Sequence, residues 1–122
     1  MMFFKKKKKV IEGQINEVIK VNNYAKKIGE RGYERGHGYD WYKWRVFVDE
    51  DETTLNEIDY VEYLLHKTFP NPRRIVKDRE TKFALESEGW GEFYIFITIF
   101  LKNGEKKEQR YWLSFDKQWP EE

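Results

Sequence analysis

One segment, FYIFITIFL over Phe93–Leu101, constrains the fold of this 122-residue chain more than any other. Nearly every position on both of its alternating faces is apolar, as in a strand that is covered on both sides. The segment therefore predicts a strand in the middle of a sheet. Asn103-Gly104 follows it and signals a β-hairpin, which predicts a partner strand at about Lys106–Phe115. One face of that partner carries Tyr111, Leu113 and Phe115.

The first part of the chain predicts strands on either side of a glycine-rich loop. Residues 41–49, WYKWRVFVD, place Trp44, Val46 and Val48 on one face of a strand. Residues 29–40, GERGYERGHGYD, contain four glycines, which argue against any regular element there. Residues 10–28 alternate imperfectly and fit one long or broken strand, with a short helix as the alternative.

The middle of the chain predicts shorter elements. Residues 57–66 favour a strand by their β-rich composition, although the pattern alone also fits a helix. The acidic segment before them, DEDETTLNE, predicts a solvated turn. Two prolines, Pro70 and Pro72, end the strand because proline lacks a backbone donor. A further short strand is predicted near Thr81–Leu85.

These segments together predict an all-β fold, an Ig-like antiparallel β-sandwich of about eight strands. An eight-stranded barrel is the alternative. The length fits one domain, which we place at residues 10–122. The aromatic content of 18% supplies the burial that a chain with 37% charged residues would otherwise lack.

The charge of the chain is divided unevenly. Residues 1–9, MMFFKKKKK, hold five lysines and no acid, and the rest of the chain then holds 18 basic and 22 acidic residues. We expect residues 1–9 to form a disordered basic tail with weak contact to anionic surfaces. A slightly acidic body is a poor phosphate binder, so no specific nucleic-acid partner is expected. The lysines are not followed by the apolar region of a secretory signal, and an intracellular location, cytoplasmic or nuclear, is expected.

The residue inventory argues against an enzyme and against a metal site. The chain has no cysteine and two histidines, His37 and His66, without metal-ligand spacing. Ser87 and Ser114 stand in no nucleophile context. We therefore predict no catalytic residue, no metal and no cofactor.

Aromatic and hydroxyl residues instead concentrate where two strands meet the loops. Leu65–Pro70 ends one predicted strand, and Gly89–Phe93, with the sequence GWGEF, begins another. The end of a strand and the start of its antiparallel neighbour lie at the same pole of a sandwich. Phe69 and Trp90 are thus predicted to face each other across a cleft. His66 and Thr68 are the polar groups expected nearby.

The segments LLHKTFPNPRR and KFALESEGWGEFYIFITIFLKNG resemble the YEATS domain. That family combines a Leu-His-x-Ser/Thr-Phe/Tyr segment, an Asn/Arg-Pro step and a Gly-Trp/Tyr-Gly/Ala-x-Phe turn before an apolar strand. The resemblance covers roughly residues 15–115. The form YDWYKW and the absence of a Pro-Pro pair before the fourth strand are closer in character to the prokaryotic branch of the family.

The resemblance implies a non-enzymatic module that binds acylated lysine, of the acetyl or crotonyl type, on a partner protein or peptide. Phe69 and Trp90 would sandwich the acyl amide, Thr68 would bond its amide group, and His66 would support the Thr68 hydroxyl. The Trp90 backbone N–H would donate to the acyl carbonyl, Gly89 would permit the turn, and Phe93 would back the site. The implied acyl-lysine-binding residues are His66, Thr68, Phe69, Gly89, Trp90, Gly91 and Phe93, with Tyr39 and Trp41 as candidates for a third aromatic side chain.

The chemistry of these residues fits a neutral acyl amide independently of the resemblance. A planar, polarisable amide suits two aromatic rings, whereas a cation–π cage would select the charged amine. Burying the amide requires partners for both its donor and its acceptor. The alternative is a protein-interaction or scaffold domain that keeps the sandwich and binds a partner through the acidic turn Asp49–Glu52 or the basic tail.

Overall fold

The computed structural model describes residues 10–11, 14–15, 18–33, 36 and 38–120. Seven strands form two antiparallel sheets, and two strands of two residues each pair as a separate hairpin. The predicted all-β, Ig-like sandwich is confirmed, and the barrel alternative is wrong because the two sheets remain separate. The strands are β1 (Val10–Ile11), β2 (Gln14–Ile15), β3 (Val21–Arg31), β4 (Tyr39–Val48), β5 (Ile58–Leu64), β6 (Arg73–Val76), β7 (Leu85–Gly89), β8 (Tyr94–Leu101) and β9 (Lys106–Trp112).

The predicted central strand is confirmed. One sheet has the order β6-β5-β8-β9, so β8 pairs on both sides. Its inward side chains Ile95, Ile97 and Ile99 are buried in the core. The predicted hairpin to β9 is also confirmed, and Gly104 in its turn has a φ of 94°, a conformation that glycine adopts without strain.

The second sheet, β3-β4-β7, confirms the strand at residues 41–49 and shortens the glycine-rich loop. Trp44, Val46 and Val48 of β4 are fully buried, as their alternation predicted. The prediction of a loop over residues 29–40 was too long, because β3 continues to Arg31 and pairs with Tyr39 of β4. A register shift between Lys27 and Gly29 leaves Ile28 without an opposite residue in the ladder, as in a β-bulge.

Two local predictions in the middle of the chain are wrong. The acidic segment contains a short helix, α1 (Glu52–Asn56), whose N-cap Asp51 accepts a hydrogen bond from the Thr54 backbone N–H at 3.0 Å. The strand predicted near Thr81–Leu85 begins only at Leu85. A 3-10 turn at Arg79–Thr81 comes before it.

The backbone directly before β7 explains why no strand forms earlier. Lys82 and Phe83 have φ values of 61° and 57°, which are incompatible with extended structure. Phe83 is nevertheless fully buried, and its carbonyl accepts a hydrogen bond of 2.6 Å from the buried Tyr63 hydroxyl of β5. The left-handed turn thus aims an aromatic side chain into the core, and β5 is confirmed as a strand rather than a helix.

Asn23 of β3 links the two sheets through a buried polar network. Its side chain is fully buried. Its amide donates to the Ser114 carbonyl at 2.8 Å, and its oxygen accepts from the Tyr111 hydroxyl at 2.6 Å and the Ser114 backbone N–H at 3.3 Å. Each polar atom of the side chain is therefore satisfied by the strand and loop of the opposite sheet.

The predicted basic tail, residues 1–9, lies outside the described residues. Within the part of the chain that the structure describes, no helix is long and apolar enough to cross a membrane.

Removal of the Asn23 side chain should destabilise the domain. The variant Asn23→Ala leaves buried groups of Ser114 and Tyr111 without partners, at a cost of about 1–3 kcal/mol in the free energy of unfolding. Tyr111→Phe removes one of the three bonds and should cost less. Urea denaturation measures both, and an Asn23→Ala protein as stable as the wild type would contradict the inferred role of the network.

Tyr111 should also make the stability depend on pH in the alkaline range. Burial raises the pKa of Tyr111 to about 12, above the value of about 10 for an exposed tyrosine. Because the folded protein holds this proton more tightly, the contribution is complete below about pH 10 and is lost as the pH rises toward 12. The free energy of unfolding should therefore fall more steeply above about pH 10 in the wild type than in Tyr111→Phe. Parallel curves for the two proteins would disprove the effect.

Candidate binding site

A cavity of about 420 Å³ lies at one pole of the sandwich, where β5 ends and β8 begins. The pairing of Leu64 with Phe96 places the segments that follow β5 and precede β8 side by side. The predicted meeting of these two loops is therefore what the sheet register produces. The cavity is lined by Trp41, His66, Thr68, Phe69, Pro70, Glu88, Gly89, Trp90, Gly91, Glu92 and Phe93.

Phe69 forms a wall that is fixed to the core. Its ring lies edge-on to Trp44, with centroids 6.2 Å apart, and contacts Phe93 at 5.3 Å. Its backbone N–H donates to the His66 carbonyl at 3.0 Å, which closes the turn after β5. Because Trp44 is fully buried, the position of Phe69 is set by the same packing that stabilises the sandwich.

Trp90 forms a second, exposed wall. Its side chain is 59% exposed, and its ring stacks on Tyr39 with centroids 5.1 Å apart and an interplanar angle of 29°. In the described part of the chain, the ring contacts of Phe69 are with Trp44 and Phe93, and none joins Phe69 to Trp90. The two rings therefore line one cavity without filling it against each other.

The two candidates for a third aromatic side chain have different positions. Trp41 lines the cavity, and its indole N–H donates to Glu88 Oε1 at 3.0 Å. The Arg31 guanidinium lies 4.6 Å from the Trp41 ring centroid, within the range of a cation–π contact. Tyr39 is not among the lining residues but supports Trp90 from behind.

His66 and Thr68 form a polar pair in the turn after β5. The Thr68 backbone N–H donates to His66 Nδ1 at 3.2 Å, and Thr68 Oγ1 lies 3.0 Å from the same nitrogen. Since Nδ1 accepts the backbone bond, the matching tautomer carries its proton on Nε2. The single Nδ1 lone pair is then shared between the Thr68 backbone N–H and the Thr68 hydroxyl. A hydroxyl proton directed to Nδ1 leaves the lone pairs of the Thr68 oxygen available to a donor from outside.

The two glycines of GWGEF do not provide a left-handed turn. Among the described glycines, positive φ occurs at positions 32, 36 and 104 only. Gly89 is the last residue of β7 and pairs with Tyr42. Gly89 therefore does not use a backbone conformation that favours glycine, and its role in the turn stays a prediction. A Cβ at this position would stand 3.6 Å from Phe69 Cζ, an ordinary contact distance that would occupy space beside Phe69.

Three lining residues were not expected from the sequence: Pro70, Glu88 and Glu92. The Glu92 carboxylate is held by the Phe115 backbone N–H, which donates to Oε2 at 2.7 Å. Glu92 lies within the GWGEF segment and Glu88 directly precedes it, and that position was the only signal for them. Among the described residues, no three His, Asp or Glu side chains gather where they could hold a metal ion.

The acidic segment Asp49–Glu52 is engaged within the domain. Its carboxylates contact β3, Lys20 directly before β3, the first turn of α1, and the 3-10 turn before β7. The contacts are Asp49 with Asn22 and Lys20, Glu50 with the Lys20 backbone N–H, Asp51 with the Thr54 backbone N–H, and Glu52 with Arg79. These contacts give the acids a role in the fold itself.

Comparison with known proteins identifies relatives of this chain. Residues 42–114 match the family described as the prokaryotic YEATS domain. The chain is 34% identical over 90 residues to "Protein AF-9 homolog" of Candida glabrata, which covers 70% of this chain and 39% of that protein. It is 32% identical over 94 residues to the protein of the same name from Schizosaccharomyces pombe, covering 75% and 42%. The chain thus spans about two fifths of the length of these curated relatives.

Solved structures agree with this family. A structure described as "The Yaf9 YEATS domain Recognizing H3K122suc Peptide" superimposes with a TM-score of 0.58 at 28% identity, covering 82% of this chain and 80% of that one. The Yaf9 YEATS domain bound to H3K27ac gives a TM-score of 0.56 at 25% identity, covering 82% and 78%. The family match spans more than half of the chain and the sandwich is shared with these neighbours, so this chain belongs to the prokaryotic YEATS domain family.

Proposed function

We propose that this domain is a non-enzymatic reader of acylated lysine, of the acetyl or crotonyl type, on a partner protein. The observation that carries the proposal is the open cavity between Phe69 and Trp90, whose rings share a site without contacting each other. An exposed Trp stacked on a Tyr at the edge of an unfilled apolar cavity is suited to a flat ligand.

The aromatic rings account for the affinity for an acyl amide. Phe69 is fixed by Trp44 and Phe93, and Trp90 is backed by Tyr39. An amide inserted between them replaces water on both of its faces with aromatic surface. Each such contact contributes about 0.5–1.5 kcal/mol beyond burial.

The His66–Thr68 pair supplies the acceptor that the amide needs. The Thr68 oxygen accepts the lysine amide N–H while its own proton is directed to His66 Nδ1, 3.0 Å away. The Trp90 backbone N–H donates to the acyl carbonyl. With both groups of the amide satisfied, desolvating it does not cost the roughly 1–3 kcal/mol per unmet group that would otherwise oppose binding.

The solved relatives support this proposal at the level of ligand class. Yaf9 YEATS domains have been solved with H3K122suc and H3K27ac peptides. In this chain the ligand is an acylated lysine on an intracellular partner protein, and the site needs no cofactor. The scaffold alternative through Asp49–Glu52 is weakened by the internal contacts of these four acids.

Substitutions in the cavity should weaken binding of acetyl- and crotonyl-lysine peptides. Thr68→Val keeps the shape of the side chain and removes the hydroxyl, so the affinity should fall roughly tenfold, and Trp90→Ala should lower it by a similar factor or more. Titration calorimetry with acylated and unmodified versions of one peptide measures the effect.

Matched controls lie on the outer face of the sheet that contains β8 and β9, on strand residues that do not line the cavity. Trp112 is also an exposed tryptophan (46%), and Thr98 is a strand threonine, and neither lines the cavity. Trp112→Ala and Thr98→Val should bind as the wild type does. Wild-type protein that binds no acylated peptide at millimolar concentration would sink the reader function and leave the scaffold alternative.

Filling part of the cavity beside Phe69 should also reduce the affinity for acyl peptides. A Cβ at Gly89 meets Phe69 Cζ at 3.6 Å, an ordinary contact distance, so Gly89→Ala should fold normally. The added methyl group narrows the space beside Phe69, and acyl-peptide affinity should fall several-fold. Gly29→Ala, where a Cβ meets nothing within 4 Å, is the control. An unchanged affinity in Gly89→Ala would show that the acyl group does not enter beside Phe69.

A further inference from the structure

The cavity carries a negative charge that recognition of a neutral amide does not require. Glu88 and Glu92 are both lining residues, and none of the described lining residues is a lysine or an arginine. The charged side chains that line the proposed acyl-lysine site are therefore all carboxylates.

Both carboxylates are held in place by N–H donors from other parts of the sandwich. Trp41 Nε1 donates to Glu88 Oε1 at 3.0 Å, and the Phe115 backbone N–H donates to Glu92 Oε2 at 2.7 Å. Each of these bonds engages one oxygen and restrains the side chain. These bonds favour the positions in which the two carboxylates line the cavity.

One cation, Arg31, lies near this wall without lining the cavity. The Arg31 guanidinium lies over the Trp41 ring at 4.6 Å and is not a lining residue. Within the described residues, the cavity lining thus offers an incoming anion no guanidinium or ammonium group with which to pair.

We propose that Glu88 and Glu92 make the site selective for uncharged acyl chains, such as acetyl and crotonyl, over acyl chains that end in a carboxylate, such as succinyl. The inference rests on the proposed function and specifies its ligand class. A second carboxylate in the same cavity loses hydration and meets two like charges, whereas a neutral acyl chain meets neither cost. The selectivity thus arises from repulsion of acyl chains that end in a carboxylate, not from added attraction to the uncharged ones.

The test compares three peptides of one sequence that carry acetyl-, crotonyl- or succinyl-lysine. The wild-type domain should bind the succinyl peptide at least about tenfold more weakly than the crotonyl peptide. The double variant Glu88→Gln/Glu92→Gln keeps an oxygen acceptor for Trp41 and Phe115 but removes both charges. The ratio of crotonyl to succinyl affinity should therefore shrink several-fold in this variant, and added salt should shrink it in the wild type.

A charge-matched control separates a local effect from that of net charge. Glu105 and Glu108 are exposed and lie outside the cavity lining, so Glu105→Gln/Glu108→Gln should leave the affinity ratio unchanged. Equal affinity of the wild type for crotonyl and succinyl peptides, or an unchanged ratio in Glu88→Gln/Glu92→Gln, would overturn this inference alone. Failure to bind any of the three peptides would overturn the proposed function together with it.

Discussion

The burial of Trp44 between the sheets is the interaction on which the rest of this structure depends. Its indole is fully buried and lies edge-on to Phe69 and Phe93. The inner wall of the cavity is therefore an extension of the core, held at the density at which protein interiors pack. A site built this way needs no rearrangement to present one of its two rings, which lowers the entropic cost of binding.

The outer wall of the cavity, Trp90, is not held by core packing. Trp90 is largely exposed and is oriented by stacking on Tyr39, a residue of β4 that is fifty-one positions earlier in the chain. Aromatic stacking at an exposed site is worth little beside core packing. One ring of the cavity is thus fixed by the core, and the other is held by a single stacking contact. The polar pair His66–Thr68 is ordered by hydrogen bonds between its own two residues, within the turn after β5.

Sequence patterns predicted those elements that carry a clear apolar or turn signal. Alternation predicted β4, β-rich composition favoured β5, and the apolar run on both faces predicted β8. Asn103-Gly104 predicted the β8–β9 hairpin, and residues such as Val46, Tyr63 and Ile97 are buried in these strands. The failures occur where local backbone conformation overrides pattern. Phe83 reads as a strand residue but reaches the core from a left-handed turn, and the acids before β5 cap a helix that tertiary burial of Leu55 stabilises.

The sequence alone determined the strands, the sandwich and the two loop segments that meet at its pole, because alternation and turn chemistry are local properties of the chain. Only the tertiary structure decided how the side chains of those segments are arranged. The register of β5 and β8 brings the two loop segments together, and the packing of the two sheets places Phe69 against Trp44. The same assembly leaves a cavity between Phe69 and Trp90 and brings Glu88 and Glu92 into its lining. The volume and charge of a cavity depend on side chains from several strands at once, so no single stretch of sequence is sufficient to predict them.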